Sequence, residues 1–201
     1  LNVPDVSKVL VVYESTNTAD PTLDAIEFSS ISNVGTDAII GENIIGSESG
    51  AVGRVVTNNN SSPSSGGFDK LGVVYLNQNT FTAGETVTFK ESNIISTVQS
   101  ITLGKYNNVT DNFVLDGGQK NEYYDYSRLI RTTDSEPSKR LLVVFDHYIV
   151  PASDTGDVFT VLSYDADRFL NDIPTIGPNN VRASDTLDFR PRIVNYSSTT
   201  A

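Results

Sequence analysis

Cysteine is absent from this chain of 201 residues, and histidine occurs once. Disulfide bridges, zinc fingers, iron–sulfur clusters and thiol nucleophiles are therefore excluded, and so is a metal site built from several imidazoles. Lys and Arg number 14 against 25 Asp and Glu, which gives a net charge of -11. Because nucleic-acid backbones are bound by clustered Lys and Arg, we expect no nucleic-acid partner. No apolar run approaches the roughly 20 residues that a membrane-spanning helix needs, so we expect no membrane span.

Methionine is also absent, and the chain begins Leu1-Asn2-Val3. A primary translation product begins with Met. We therefore expect either a processed chain or a stretch of a longer protein.

Uncharged polar residues make up much of the chain, with 22 Ser, 20 Thr and 18 Asn. Ser, Asn and Asp compete with helical hydrogen bonds by bonding to the nearby backbone. Thr, Val, Ile and the aromatic residues suit the pleated, half-buried surface of a strand. The composition therefore predicts a mainly β protein with little helix.

Short β-branched segments recur between glycines and polar turns. The predicted strands are residues 8–14, 25–31, 38–40, 43–45, 51–56, 71–76, 81–89, 94–103 and 113–115. Short strands at near-regular spacing with glycine between them are typical of small antiparallel β-barrel or sandwich modules. No exact internal repeat is present, and residues 58–67 are predicted to form an exposed loop at a hairpin tip.

We divide the chain into leading strands at 1–34, a glycine-rich small β module at 35–103 and a second β-rich module at 104–201. Residues 104–110 are interpreted as the connector. The apolar pattern of residues 140–150 predicts the strongest strand, central and covered on both faces.

Three tyrosines, Tyr123, Tyr124 and Tyr126, form a cluster suited to a protein interface or to stacking on sugars, although core packing fits them equally well. With Ile130, the spacing of Tyr123 and Tyr126 permits a short helix, which three tyrosines disfavour.

Near the end of the chain, Asp188, Arg190 and Arg192 share one face of a predicted edge strand, because alternate residues of a strand point the same way. Pro191 restricts that strand to an edge. The two arginines suit bidentate contacts with carboxylates, either within the chain or in a neighbouring subunit.

Other acidic and basic residues favour structural roles. His147 follows Asp146 in a predicted strand, so the two side chains point to opposite faces and a structural or interface role is favoured. Asp residues recur in pairs and groups, at 154 and 157, at 165 and 167, and at 111, 116 and 125 with Glu122. They favour turn formation, with an incidental Ca²⁺ site as the alternative. No phosphate loop or dinucleotide motif occurs, so we expect no cofactor.

A series of motifs in the second module resembles a known family. The series is Asp111-Asn112-Phe113, Gly118-Gln119, Tyr123-Tyr124-Asp125-Tyr126-Ser127-Arg128, Leu142-Val143-Val144-Phe145-Asp146-His147-Tyr148, Gly156-Asp157-Val158-Phe159-Thr160-Val161 and Asp188-Phe189-Arg190-Pro191-Arg192. Over residues 108–195 it resembles large virion structural proteins of contractile-tailed bacteriophages, especially those of marine cyanobacteria. Residues 46–85 are similar to small β modules repeated in phage baseplate and tail proteins.

The resemblance implies a structural, non-enzymatic component of a phage virion, in the tail baseplate or the fibre-bearing periphery. Its partners would be other tail or baseplate subunits and further copies of itself, and it would assemble in the host cytoplasm. The family has no established catalytic residues, so none is transferred. The alternative hypothesis is a tail-fibre or adhesin domain that binds a host-surface glycan, and a polysaccharide-degrading enzyme is the third and weakest hypothesis.

Overall fold

A computed structural model describes residues 1–28, 34–59, 69–134, 136–148, 175–176, 179 and 181–182. The chain divides into two compact units. One comprises Leu1–Val9, Asp111–Ser135 and Phe145–Ala201, and the other comprises Leu10–Thr110 and Glu136–Val144.

The architecture is mainly β, as the composition predicts. The strands are β1 (Val6–Ser15), β2 (Asp24–Phe28), β3 (Asn43–Gly46), β4 (Val52–Asn59), β5 (Asp69–Tyr75), β6 (Thr86–Phe89), β7 (Ile95–Thr102), β8 (Tyr106–Asn108), β9 (Phe113–Asp116), β10 (Arg128–Arg131), β11 (Leu141–His147), β12 (Thr175–Ile176) and β13 (Val181–Arg182). Helical residues within the described part of the chain are confined to one turn, α1 (Val34–Asp37), and a 3₁₀ turn at Thr110–Asn112.

Six strands form a closed antiparallel barrel in the order β2-β5-β4-β3-β6-β7. Its first strand begins at Asp24 and its last ends at Thr102. The interior is apolar, and Phe28 and Phe89 pack edge to face with ring centroids 5.5 Å apart. The other buried side chains of this core are Ile26, Val34, Ile44, Ala51, Val55, Leu71, Val73, Phe81, Val87 and Val98.

The barrel is an internal duplication in structure. Its first half contains β2, β3 and β4, and its second half contains β5, β6 and β7. β3 pairs with its counterpart β6 about the central residue pair Ile45 and Thr88. β2 pairs with its counterpart β5 about the pair Ile26 and Leu71. Each pairing is symmetric about its central residue pair. Exchanging the two halves of the barrel therefore gives the same pairing, as a two-fold axis requires.

The irregularities of the two halves also correspond. β4 leaves Val56 unpaired against β5, because Val55 pairs with Val73 and Thr57 with the next residue, Gly72. β7 leaves Gln99 unpaired against β2 in the same way. A β-bulge of this kind increases local twist, which helps a six-stranded sheet to close.

A three-stranded sheet of order β11-β1-β8 accompanies the barrel. Within the larger unit, Val11 and Tyr13 of β1 form a small core with Val74 of the barrel, and Val56 packs against that core. Gln99, the counterpart of Val56 in the other half, is exposed. The two bulge residues therefore differ because only Val56 meets this apolar cluster.

Two predictions about local structure were wrong. Residues 38–40 form a loop rather than a strand, because Gly41 turns the backbone at a φ of 96° and Ile39 and Ile40 are exposed. β11 is half-buried along its centre and exposed at its ends, so it is not covered on both faces, and within the described residues it pairs with β1. The connector 104–110 contains the short strand β8, and the division between the two units falls at its end, between Thr110 and Asp111.

The tyrosine-rich segment is extended rather than helical. Gln119 bridges to Tyr124, Tyr126 bridges to Pro4, and β10 follows. β10 pairs with β9 in an antiparallel ribbon of two strands. Ser127, which is fully buried, accepts a hydrogen bond at 3.1 Å from the Val6 amide and ties the start of the chain to this segment.

Candidate functional site

Two buried carboxylates occupy corresponding positions in the two halves of the barrel. Glu42 is fully buried, and one of its oxygens accepts a hydrogen bond of 2.6 Å from the Ile39 amide. Its other oxygen accepts hydrogen bonds from the amides of Glu91 at 3.2 Å and Ser92 at 3.1 Å. The Ser92 hydroxyl lies 3.0 Å from both oxygens. Glu42 therefore joins its own loop to the turn between β6 and β7.

Glu85 repeats this arrangement in the second half. It is 1% exposed and accepts a short hydrogen bond from the Thr82 amide. It also accepts hydrogen bonds from the amides of Glu48 at 3.4 Å and Ser49 at 3.1 Å, and from the Ser49 hydroxyl. The turn it holds lies between β3 and β4. We call Glu42 and Glu85 with these amide partners the two carboxylate latches.

The backbone around the latches is equally matched. Gly41 and Gly84, which precede the two glutamates, have φ angles of 96° and 92°. The amide of Gly41 donates to the Val55 carbonyl at 2.8 Å, and the amide of Gly84 donates to the Val98 carbonyl at 2.8 Å. Non-glycine residues are strained at such positive φ angles. Each glycine therefore turns the chain and binds a strand of its own half, while the glutamate that follows it binds the opposite half.

The donors around Glu85 also set its acidity. Burial alone raises the pKa of this carboxyl, but the hydrogen bonds from Thr82, Ser49 and Glu48 outweigh burial, and the pKa is lowered from 4.5. Hydrogen bonds donated to a carboxylate favour its charged form. The oxygens of both latch carboxylates are occupied by such donors, an arrangement that suits holding loops together rather than moving protons.

Acid is expected to weaken the Glu85 latch. Because its pKa is lowered on folding, the charged carboxylate contributes stability above about pH 4.5, and this contribution is lost as pH falls through the folded pKa. In urea titrations from pH 7 to pH 3, the difference in unfolding free energy between the natural chain and Glu85→Gln should shrink as pH falls. Glu48→Gln, at an exposed neighbour, is the control. A difference that is constant with pH would contradict the assignment.

A second polar cluster lies between β8 and the start of the barrel. Buried Asp24 accepts hydrogen bonds from the Gly104 amide at 2.6 Å and the Tyr106 hydroxyl at 3.1 Å. The rings of Tyr106 and Tyr13 stack with centroids 3.8 Å apart. Burial, with the charge of Asp24, raises the pKa of Tyr106. The cluster fixes β8 to β1 and leaves these phenols protonated at neutral pH.

The predicted interface tyrosines fall in different environments. Tyr123 is exposed, Tyr126 is half-buried, and Tyr124 is 3% exposed. Their side chains therefore do not form one continuous surface. Asp188, Arg190 and Arg192 lie outside the described residues, as do the Asp pairs at 154 and 157 and at 165 and 167. The contacts predicted for those residues stay predictions.

Two of the described aspartates, Asp116 and Asp125, form turn contacts, as the sequence favours. Asp116 accepts a hydrogen bond from the Gly118 amide at 3.0 Å. Asp125 accepts one from the Tyr126 amide at 2.8 Å and pairs with Arg128 at 3.1 Å. Among the described residues, no group of three or more His, Asp or Glu side chains is placed to hold a metal ion. His147 is exposed beside Phe145, with ring centroids 5.9 Å apart.

Sequence reasoning missed an exposed apolar pair on the β9–β10 ribbon. Val114 and Ile130 are directly paired across the two strands and are 55% and 52% exposed. Side chains of directly opposed residues lie on the same face of a ribbon. The short strand at 113–115 was predicted from the sequence, but its partner was not, so the pair could not be found.

The described part of the chain contains no helix of the length and apolarity needed to span a membrane. Comparisons with protein-family models, with curated proteins and with solved structures find no match to this chain.

Proposed function

We propose that the chain is a non-enzymatic structural component of a bacteriophage virion, in the tail baseplate or the fibre-bearing periphery. It acts through contacts with other tail or baseplate subunits and with further copies of itself. The virion assignment is supported by the motif resemblance over residues 108–195. The role in contacts is supported by the β9–β10 ribbon.

The ribbon carries the proposal because it exposes apolar surface on a regular element. Val114 and Ile130 present two opposed β-branched side chains on one face, each more than half exposed. Isolated exposed apolar residues are normal, but adjacent ones on a regular surface are typical of contact sites. Tyr123, which is exposed, lies in the connection between the same two strands.

Glycan binding has weaker support. That hypothesis depends on exposed aromatic rings beside polar side chains, since sugars stack on aromatic faces. Tyr124 is buried and Tyr126 is half-buried, which leaves Tyr123, at 40% exposure, as the exposed residue of the predicted cluster. A single ring gives a small stacking surface.

Particle incorporation tests the role of the ribbon. Val114→Thr combined with Ile130→Thr keeps β-branched side chains but makes the exposed face polar. We expect at least a tenfold loss of the chain from purified particles, measured by quantitative mass spectrometry, with an unchanged thermal unfolding midpoint in the isolated protein. Leu103→Thr, at a residue 75% exposed outside the ribbon, is the matched control.

The outcomes separate the two parts of the proposal. If the natural chain is missing from purified particles, the virion assignment is wrong. If the chain is present and the double variant is incorporated normally, the virion assignment stands and the ribbon is not the contact.

A further inference from the structure

Because the barrel is duplicated, each surface residue of one half can be compared with its counterpart in the other half. Corresponding loops precede the two latch glutamates, and in each the same amide donates to the same carboxylate oxygen. In the second half the loop carries Thr82 and Ala83, whereas in the first half it carries Ile39 and Ile40. Since Thr and Ala serve in one loop, the fold does not require isoleucine in the other.

The two isoleucines are exposed, although burial is the ordinary state of this residue type. Ile39 is 49% exposed and Ile40 is 64% exposed. Ile95, the first residue of β7, is 66% exposed. Its counterpart in the first half is Val52, which is half-buried. The first loop and the start of β7 therefore both carry large exposed apolar side chains, which the matching positions of the other half lack.

Glu42 brings these residues to the same end of the barrel. Its carboxylate binds the Ile39 amide through one oxygen and the Ser92 amide through the other. Ile95 follows Ser92 by three positions, directly after the turn that Glu42 holds. We call Ile39, Ile40 and Ile95 the isoleucine surface. Because the latch fixes both of its backbone segments, this surface is preorganised for binding.

The charged residues around the isoleucine surface indicate what kind of partner surface would bind it. Asp37 and Glu91 are exposed beside these segments, with Lys90 as the adjacent cation. The described residues that flank the isoleucines along the chain therefore expose two carboxylates and one ammonium group, while the buried carboxylate of Glu42 and the buried guanidinium of Arg54, which donates to Asn43, offset each other in charge. A partner with Lys or Arg at its edge is therefore electrostatically complementary.

We propose that the isoleucine surface docks a different protein subunit, one that offers an apolar pocket edged by Lys or Arg. The partner belongs to the particle, so this inference rests on the proposed function. A second copy of the chain fits less well, because each copy has a net charge of -11 and the two acidic edges repel each other.

Photo-crosslinking in assembled particles tests the proposal. Ile40→p-benzoylphenylalanine and, as the matched control, Ala83→p-benzoylphenylalanine place the same probe on corresponding exposed loops. Mass spectrometry identifies the crosslinked peptide. We expect Ile40 to crosslink to another virion protein, in a peptide containing apolar residues with Lys or Arg, at least tenfold more than position 83.

A second variant exchanges the loop chemistry between the halves. Ile39→Thr combined with Ile40→Ala copies the second loop into the first and should leave the unfolding midpoint unchanged. We expect incorporation into particles to fall at least tenfold, with Ala83→Ser as the control.

Several results would overturn the proposal. A crosslink from Ile40 to a second copy would show the wrong partner, and equal crosslinking at positions 40 and 83 would show no specific surface. The chain present in particles without a crosslink at Ile40 would refute the docking surface alone. The chain missing from particles would refute the proposed function and the inference with it.

Discussion

Glu42→Ala is expected to lower the free energy of unfolding by about 3–5 kcal/mol, because a hydrogen bond donated to a charged group contributes about 1.5–3 kcal/mol. The substitution leaves the amides of Ile39, Glu91 and Ser92 without their acceptor. Those amides are fixed by the β6–β7 turn and by the loop before β3. A loss of this size is a large part of the roughly 5–15 kcal/mol that holds a typical domain together. Urea unfolding followed by circular dichroism measures it.

The matched variant is Glu85→Ala, which removes the same contacts from the other half. Because the two latches have the same donors in the same order, the two variants should lose similar stability. Glu48→Ala is the control, since Glu48 is exposed and an exposed substitution changes stability by about 0.5 kcal/mol or less. A loss of stability in Glu42→Ala with none in Glu85→Ala would show that the two halves of the barrel are not equivalent.

Phe81→Ala is expected to destabilise the barrel by about 3–5 kcal/mol, the usual cost of removing a buried phenylalanine ring. Phe81 is 3% exposed and packs in the barrel core. A Cβ placed on Gly53 would lie 2.9 Å from the Phe81 ring, so the glycine makes room for it. In the other half, the position of Phe81 is occupied by the smaller Ala38, and the position of Gly53 is occupied by the larger Ser96. In each half, therefore, a larger side chain at one of the two positions accompanies a smaller one at the other, and the two halves make the opposite choice.

This exchange predicts a coupling between the two sites. Gly53→Ser alone should destabilise the barrel by about 1–3 kcal/mol, because it crowds the ring. Combined with Phe81→Ala, it fills space that the ring has left, so the double variant should be more stable than the two single losses predict by about 1 kcal/mol. A double-mutant cycle from urea unfolding measures this. Strict additivity would mean that Gly53 and Phe81 do not share the space.

The sequence predicts the fold class well, because its evidence is local. β-Branched segments and glycine turns locate β1 and all six barrel strands, from β2 to β7. The error at residues 38–40 has a physical reason. Apolar residues in a row suggest a strand, but the Ile39 amide is bound by a side chain three residues later. A hydrogen bond from backbone to side chain does not change the hydrophobic periodicity of a sequence, so periodicity cannot reveal it.

The duplication escaped sequence reasoning because few identities survive. Gly41-Glu42 and Gly84-Glu85 agree, and so do Glu48-Ser49 and Glu91-Ser92. These four identical positions comprise the latch glutamates, the glycines before them and two of the amide donors that each glutamate binds. The intervening strands diverged freely, because any apolar residue of suitable size fills a core position. A search for a repeated Gly-Glu followed by a repeated Glu-Ser would have found the candidate latches.

The candidate contact surfaces depend on long-range pairing and were less predictable. Val114 and Ile130 become neighbours only when β9 pairs with β10. Ile95 lies at the same end of the barrel as Ile39 and Ile40 because β3 pairs with β6 and because Glu42 binds both segments. Tyr124 illustrates an alternative that the sequence left open. Its ring suited an interface and a core equally well, and the fold of the segment buries it.

The strand order of the barrel has a consequence for how the chain folds during synthesis. β2 pairs with β5 and with β7, both from the second half, and Ala25 pairs with Thr102. The first half alone therefore leaves its earliest strand without either neighbour. Contacts between residues so distant in sequence slow folding, since loop closure must precede them. On the ribosome the barrel cannot close until β7 has emerged, so the two halves fold as one cooperative unit rather than in succession.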